Sequence, residues 1–352
     1  MVKVGLIGCG YISKFHISGH EKAGSQIVHV CDVRLEAAQA VAAKYQAKAT
    51  ADYRALLADP DVQVVDIMTN TNSHREICLA AIAAGKHVIC EKTLGLTAQE
   101  ALEIIQAAKA KGVIFYTSYM KRFIPAVAKA KELLPSIGRI VTTHIRAHQY
   151  WGEFWKAMPT EGGCHTPAGG MSGLRKGIGG GILWAGGSHI LDLTLFLLGR
   201  PHRLYGNVYT PEGRDYDLRA AALLETPSNG VVHFETMIHD LKRVGFLRDG
   251  WDERFEITGL DGRLEFYSSQ WDNPNTKASL LIHYDNATGQ ATEYRQEPVS
   301  PFDVAIAFFC RNIERGEQGS QSIITGYEVD ELISHIERSS CTSQALEVNW
   351  RL

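Results

Sequence analysis

Long apolar runs are missing from this chain: nothing in its 352 residues approaches the roughly 18 consecutive apolar positions that a spanning helix needs. The start, Met1-Val2-Lys3-Val4-Gly5-Leu6-Ile7-Gly8, lacks a charged leader, an extended apolar core and a small-residue cleavage site, so no secretory signal is expected. Cysteine is sparse: seven residues, odd in number, dispersed and without a CxxC pair. That argues against a disulfide framework, and a reduced, cytoplasmic setting is the expectation. Charge of one sign is lacking too, with 36 Lys and Arg against 39 Asp and Glu and a net charge of -3. A dedicated nucleic-acid binder would show a basic excess or stripe, so neither nucleic acid nor membrane is expected as a partner. What the chain does have is 45% hydrophobic residues, enough for two cored domains, and 33 glycines whose positions matter more than their number.

The first third alternates short apolar runs with helical stretches. Val2–Ile7, Gln26–Cys31, Val62–Met68, Lys86–Cys90 and Val113–Tyr119 read as strands. Helices run to Ala23 and over Leu35–Tyr45, Ser73–Ala84 and Thr97–Lys111. Continuous apolar strands joined through helices imply a parallel, doubly wound sheet buried on both faces. Beyond Arg122 the rhythm changes. A helix, Ala126–Leu134, precedes a long strand, Arg139–Gln149, and a loop rich in glycine and aromatics leads to the apolar helix Ile182–Leu198. Segments of strand composition joined by turn residues then fill 204–267, as in an antiparallel sheet, before two final helices. The fold class is therefore α/β, an N-terminal Rossmann domain at 1–123 and a C-terminal α+β domain at 124–352.

Gly8-Cys9-Gly10-Tyr11-Ile12-Ser13 follows the first strand and opens the first helix. Gly8 permits the tight turn, Gly10 lets a pyrophosphate approach the helix N-terminus, and Ser13 replaces the third glycine of the dinucleotide fingerprint with another small residue. Tyr11 and Ile12 belong to the same turn. Asp32 ends the second strand about 20 residues on, where a carboxylate accepts the adenosine ribose hydroxyls. A carboxylate there repels a 2′-phosphate, so the expected cofactor is NAD, with Arg34 two residues later softening that preference.

Four blocks, VGLIGCGYISKFH, TNTNSHREICLAAIAAGKHVICEKTLGLTAQEA, SYMKRFIPAV and GGGILWAGGSHILDLTLFLLG, together resemble the glucose–fructose oxidoreductase / inositol dehydrogenase / MocA family over nearly the whole chain. The resemblance implies a Rossmann domain followed by an open, mostly antiparallel sheet, one face of which makes homodimer or homotetramer contacts. It also implies an NAD(P)-dependent oxidoreductase acting on sugars, polyols or their derivatives. Glu91-Lys92 matches the family's Glu-Lys-Pro motif, whose lysine sits between nicotinamide and substrate, so the resemblance makes both candidate cofactor contacts; Thr93 stands in place of the proline. His189, in Gly187-Ser188-His189-Ile190-Leu191-Asp192, matches the family's proton acceptor. Ala185 stands where many members carry an aspartate beside that histidine. Thr69, Asn70, Asn72 and His74 match the cofactor segment, with Asn70 replacing a proline.

Oxidising a secondary alcohol calls for a base of near-neutral pKa, as His189 has intrinsically, and a cation near the developing alkoxide, as Lys92 supplies. Tyr119, Arg122, His148, Trp155 and His165 join Lys92 and His189 as candidate substrate contacts; the aromatic loop from Trp151 to Lys176 suits the C–H face and hydroxyl edge of a pyranose. Gly177–Gly187 reads as a flexible approach to His189. Two strand histidines four residues apart, His144 and His148, are about 13 Å apart by strand rise, too far to share an ion, and no metal is expected. The reading is an NAD-dependent dehydrogenase of a ring secondary alcohol, with a glucoside or pyranoside 3-dehydrogenase as the specific case. Alternatives are an NAD-retaining glycosidase or lyase that releases no NADH, and an inactive nucleotide-binding sensor.

Overall fold

The structure, a computed structural model, describes residues 1–152, 155, 177, 180–271 and 277–352, and the chain divides into two compact units. The first comprises Met1–Met120 and Phe302–Asp330, the second Lys121–Pro301 and Glu331–Leu352. The chain thus leaves the first unit near Met120 and returns for residues 302–330, a segment that a single cut at 123 assigns to the second.

The first unit holds six strands: β1 (Lys3–Ile7), β2 (Gln26–Cys31), β3 (Lys48–Thr50), β4 (Val64–Ile67), β5 (His87–Cys90) and β6 (Phe115–Thr117). Their order is β3-β2-β1-β4-β5-β6 and every pairing is parallel. Helices α1 (Ser13–Ala23), α2 (Leu35–Tyr45), α3 (Tyr53–Leu57), α4 (Thr71–Ala83) and α5 (Ala98–Lys111) supply the connections. Val4, Val64, Val65, Val88 and Ile89 are wholly buried, as expected of strands covered on both faces. Because β2 and β4 flank β1, the sheet changes winding direction there, and doubly wound sheets bind ligands beyond the strand ends at such a point. The returning helix Pro301–Arg315 stacks Phe302 on Phe15 and Phe309 on Tyr116, with centroids 5.4 and 4.3 Å apart. That aromatic packing is why the returning segment belongs with this unit.

Among its described residues the second unit holds nine strands, β7 (Ile140–Tyr150), β8 (Arg203–Tyr209), β9 (Arg219–Glu225), β10 (Val231–His239), β11 (Trp251–Gly259), β12 (Gly262–Ser268), β13 (Leu280–Asp285), β14 (Gln290–Arg295) and β15 (Leu346–Glu347). The order is β14-β13-β12-β11-β7-β10-β9-β8-β15, antiparallel except where β7 and β10 run parallel. Burial alternates along β11, hiding Trp251, Glu253, Phe255 and Ile257, so one face carries the core; α6 (Pro125–Leu133) packs on β12 and β13, and the turn Leu183–Gly187 that leads into α7 (Ser188–Leu198) packs on β7, β9 and β10. Among the described residues, no helix is long and apolar enough to cross a membrane.

Candidate functional site

In the first unit, the turn after β1 is set by Gly8. Its φ of +100° and the approach of Met68 O, 2.7 Å from where a Cβ would stand, leave room for glycine alone. Gly10 is different: a Cβ there meets nothing within 4 Å, so the backbone at the start of α1 faces open space. Ser13 turns its hydroxyl onto Gly10 O at 2.7 Å, packing as a small residue at the fingerprint's third glycine position. Asp32 closes this turn. Its Oδ2 accepts the Cys9 N–H at 2.8 Å and its Oδ1 the Arg34 N–H at 2.9 Å. A carboxylate so pinned is a fixed anion at the end of β2, while the exposed Arg34 guanidinium reaches Oδ1 at 3.5 Å. Open glycine backbone at a helix N-terminus together with a fixed acidic acceptor fits a dinucleotide's pyrophosphate and ribose. Burial, aided by Asp32, raises the Cys9 thiol to about 11, which leaves it an unreactive neighbour of the turn.

Glu91, Lys92 and Thr93 follow β5, and the Lys92–Thr93 peptide is cis. Glu91 and Thr93 are buried, and Lys92 is the half-buried residue between them. Glu91, a cofactor candidate by its motif, joins a buried polar cluster whose other members, His16, His20 and Asp66, no sequence motif marks. His16 on α1 contacts Asp66 Oδ2 through Nδ1 and Glu91 Oε1 through Nε2, both at 2.8 Å. His20, one turn later, reaches the same Asp66 oxygen at 2.9 Å and lies 3.6 Å from Cys310 Sγ. Burial alone pushes both rings toward neutrality, yet Asp66 and Glu91 raise His16 to about 10, and Asp66 with Cys310 raises His20 to about 9. Asp66, opposed by burial in the same way, is brought down to about 2 by the two rings. Two imidazoliums thus balance two carboxylates. A signal for the cluster did exist: an aspartate inside the apolar run Val64-Val65-Asp66-Ile67 must find a partner when the strand is buried.

Of the remaining cofactor candidates, Thr69 is half-buried and accepts the Ser73 hydroxyl at 2.7 Å, whereas Asn70 and Asn72 are exposed at the start of α4. His74 is fully buried, its Nδ1 2.8 Å from Thr93 O and its Nε2 3.0 Å from Thr69 O. Tyr119, a substrate candidate, is wholly buried in this unit.

In the second unit, a π-helical turn, Leu183–Gly187, leads into α7 and places the buried His189 in that helix's first turn. Of the glycines before it, Gly181 and Gly186 are closely packed, whereas a Cβ on Gly177 would meet nothing within 4 Å. A Cβ on Gly181, at φ +91°, would fall 1.8 Å from Asp217 Oδ1, and one on Gly186 2.5 Å from Gln149 Oε1. Asp217 in turn accepts the Leu183 N–H at 2.9 Å; burial raises its carboxyl to about 7. Asp192 is gripped by Arg122, whose Nε lies 3.0 and 2.9 Å from its two oxygens and Nη2 2.6 Å from Oδ1. Lys121, beside it in sequence, is buried on Glu253 at 2.6 Å, with Gln149 and Ser268 donating to the same carboxylate. His148 faces Glu235 at 3.3 Å, and Asp252 faces Arg146 at 3.0 Å. Trp155 stacks on Tyr209 at 5.6 Å and donates its indole N–H to Ile238 O. His165 lies outside the described residues. Among those described, no three His, Cys, Asp or Glu side chains are gathered as metal ligands.

Comparison with known proteins gives two family matches: "Oxidoreductase family, NAD-binding Rossmann fold" over residues 2–119 and "GFO/IDH/MocA C-terminal domain" over residues 127–265. The 1,5-anhydro-D-fructose reductase of Ensifer adhaerens is 27% identical across 100% of both chains. The D-glucoside 3-dehydrogenase of Escherichia coli is 31% identical over 57% of this chain and 55% of its own. At identities above 30% the chain spans about half the length of the curated relatives it matches. A solved levoglucosan dehydrogenase, in complex with NADH and levoglucosan, shares the fold at a TM-score of 0.84 and 23% identity, covering 99% of this chain and 100% of that one.

Proposed function

The chain belongs to the GFO/IDH/MocA family of oxidoreductases with an NAD-binding Rossmann fold, and on that premise we propose that it oxidises a ring secondary alcohol of a small carbohydrate to a ketone with NAD. The observation that carries the reading is the open Gly8–Gly10 turn closed by an Asp32 carboxylate held on two backbone N–H groups. A fixed anion at that place repels a 2′-phosphate, and this favours NAD over NADP. A pyranoside oxidised at its 3-hydroxyl is the substrate we favour, and relatives named for glucoside and anhydro-sugar chemistry support it.

Lys92 is the group we assign to the reacting oxygen, where its ammonium stabilises developing alkoxide. His189 takes the hydroxyl proton, and its place in the first turn of α7 fixes the ring's backbone anchor. Bound nicotinamide supplies the hydride acceptor. Thr69, Asn70 and Asn72, at the start of α4, are the further cofactor contacts we propose, with Trp155 and His148 on the substrate side.

The exposed face of the nine-stranded sheet is where we place homodimer or homotetramer contacts. A shallow hollow of about 470 Å³ there is bordered by His144, Arg146, Tyr205, Leu223, His233 and Arg254. Light scattering tests this, and a monomer at micromolar concentration would sink it.

The decisive assay supplies the protein with NAD and a panel of pyranosides, inositols and sugar acids, and follows NADH absorbance. Accumulation of NADH with a pyranoside is expected. Turnover of a glycoside without NADH would establish the NAD-retaining chemistry instead, and NADH binding without turnover would establish a sensor.

A further inference from the structure

We propose that His16 and His74 are positioning residues for Lys92: two buried imidazoles, one on α1 and one on α4, grip the Glu91–Thr93 segment on either side of the lysine. The inference rests on the role given to Lys92 above. On one side, His16 Nε2 lies 2.8 Å from Glu91 Oε1, and Glu91 Oε2 accepts the Lys92 backbone N–H at 3.1 Å. On the other, His74 Nδ1 lies 2.8 Å from Thr93 O, and its Nε2 reaches Thr69 O at 3.0 Å. The contacts therefore converge on three consecutive residues. A third tether follows at once, where Asp330 Oδ2 accepts the Gly95 N–H at 2.9 Å.

The charges in this packing favour a rigid grip. His16 presents both ring nitrogens to carboxylate oxygens, so it donates to Asp66 and to Glu91 together. The charged or titratable groups around it are Asp66 from β4, Glu91 beyond β5, His20 on the same helix, and Cys310 of the helix Pro301–Arg315, which lies against His20. His74 faces two carbonyl oxygens, with Glu91 and Lys92 as the nearby charges. Burial, the largest influence, holds it below the ordinary histidine range. A lysine whose backbone is tethered on both sides starts its side chain from a fixed point, which narrows the positions its ammonium takes.

The two nitrogens of His16 can be tested separately. His16→Asn places its amide near the former Nδ1, keeping Asp66 and losing Glu91; His16→Gln reaches the Nε2 position and keeps Glu91. In His16→Asn, kcat is expected to fall about tenfold or more, with the Kd for NADH and the KM for the carbohydrate changed less than about threefold. His16→Gln should recover most of that loss even where its melting temperature is as low. A second reading needs no substrate: the rate at which acetic anhydride modifies Lys92, followed by mass spectrometry, should change several-fold in His16→Asn and His74→Ala and stay near wild type in His16→Gln. If neither His16 variant folds, Glu91→Gln, which keeps an acceptor for the Lys92 N–H but lacks the charge, carries the same two measurements, with an intermediate change expected. Wild-type Lys92 reactivity in all variants, or losses that track melting temperature whichever nitrogen is kept, would overturn the proposal. A wild-type protein that forms no NADH from any carbohydrate would overturn the proposed function instead, and the Lys92 reactivity would still decide the grip.

Discussion

The surroundings of Lys92 and of His189 are fixed by different physical means. The Lys92 segment is held by polar side chains: two histidines, Asp66, Glu91 and Asp330 all bond to it or to one another. The approach to His189 is held by shape. Glycines 181, 186 and 187 let the π-helical turn press against Asp217, Gln149 and Thr236, and the one carboxylate involved caps a backbone N–H. Polar networks titrate and can be tuned, whereas close packing tolerates no added atom. Both should respond to pH, the His189 approach through Asp217 at a lower pH than the Lys92 network, but only the close-packed approach should respond sharply to added volume.

The largest expected effect is on the proposed base itself. His189→Ala should lower kcat by roughly 10²–10⁴-fold at saturating NAD, and a loss below about tenfold would remove His189 from the role. Next comes volume. Gly181→Ala puts a methyl into Asp217 at a backbone conformation foreign to alanine and should destabilise the protein by about 3 kcal/mol in denaturant unfolding. An unchanged midpoint would show that the turn is not close-packed.

The pH response sharpens the same contrast. His16 and His20 hold protons more tightly when folded than the unfolded chain does. Their contribution is fully present below about 6.5 and is lost as pH rises through about 9 and 10. Asp66 works at the other end: its contribution is present above the unfolded value of 3.8 and lost as pH falls through about 2. Asp217, raised by burial, contributes fully below 3.8 and loses that contribution as pH rises through about 7. Hydrogen exchange read residue by residue should therefore show protection at Ile182 and Leu183 declining between pH 4 and 7, with α1 and β5 unchanged until pH 9. Asp217→Asn should abolish the first decline alone, and coincident loss in both regions would erase the distinction. The smallest effect is expected at the cofactor turn, where Asp32→Ala should narrow the NAD over NADP ratio of kcat/KM by about tenfold.

Much of this molecule was legible because its local rules are strong. Gly8-Cys9-Gly10 after an apolar strand, and Asp32 at the end of the next, predict the dinucleotide turn by spacing alone, and the family's motifs mark Lys92 and His189. The polar strand β14 escapes detection because its composition lacks the apolar alternation of a half-buried strand, whereas β13 opens on the apolar Leu280-Leu281-Ile282 and carries a strand signal that was passed over. The short β3 and α3 fall below the length at which periodicity speaks. His16 and His20 looked like ordinary helix residues, since nothing local records that a helix face will meet a carboxylate buried some 46 to 50 residues away.

The amino-acid sequence by itself determined the alternation of strands and helices and the glycine turn, because these depend on backbone sterics and on neighbours within a few residues; Lys92 and His189 are marked only by the resemblance to the family's motifs. Tertiary structure decided which charges meet. It set Arg122 on Asp192, Lys121 on Glu253, and His16 between Asp66 and Glu91. It also returned residues 302–330 to the first unit. Burying a charge far from its sequence neighbours is tolerable only when folding brings a partner to it, so that information exists only in the packed chain.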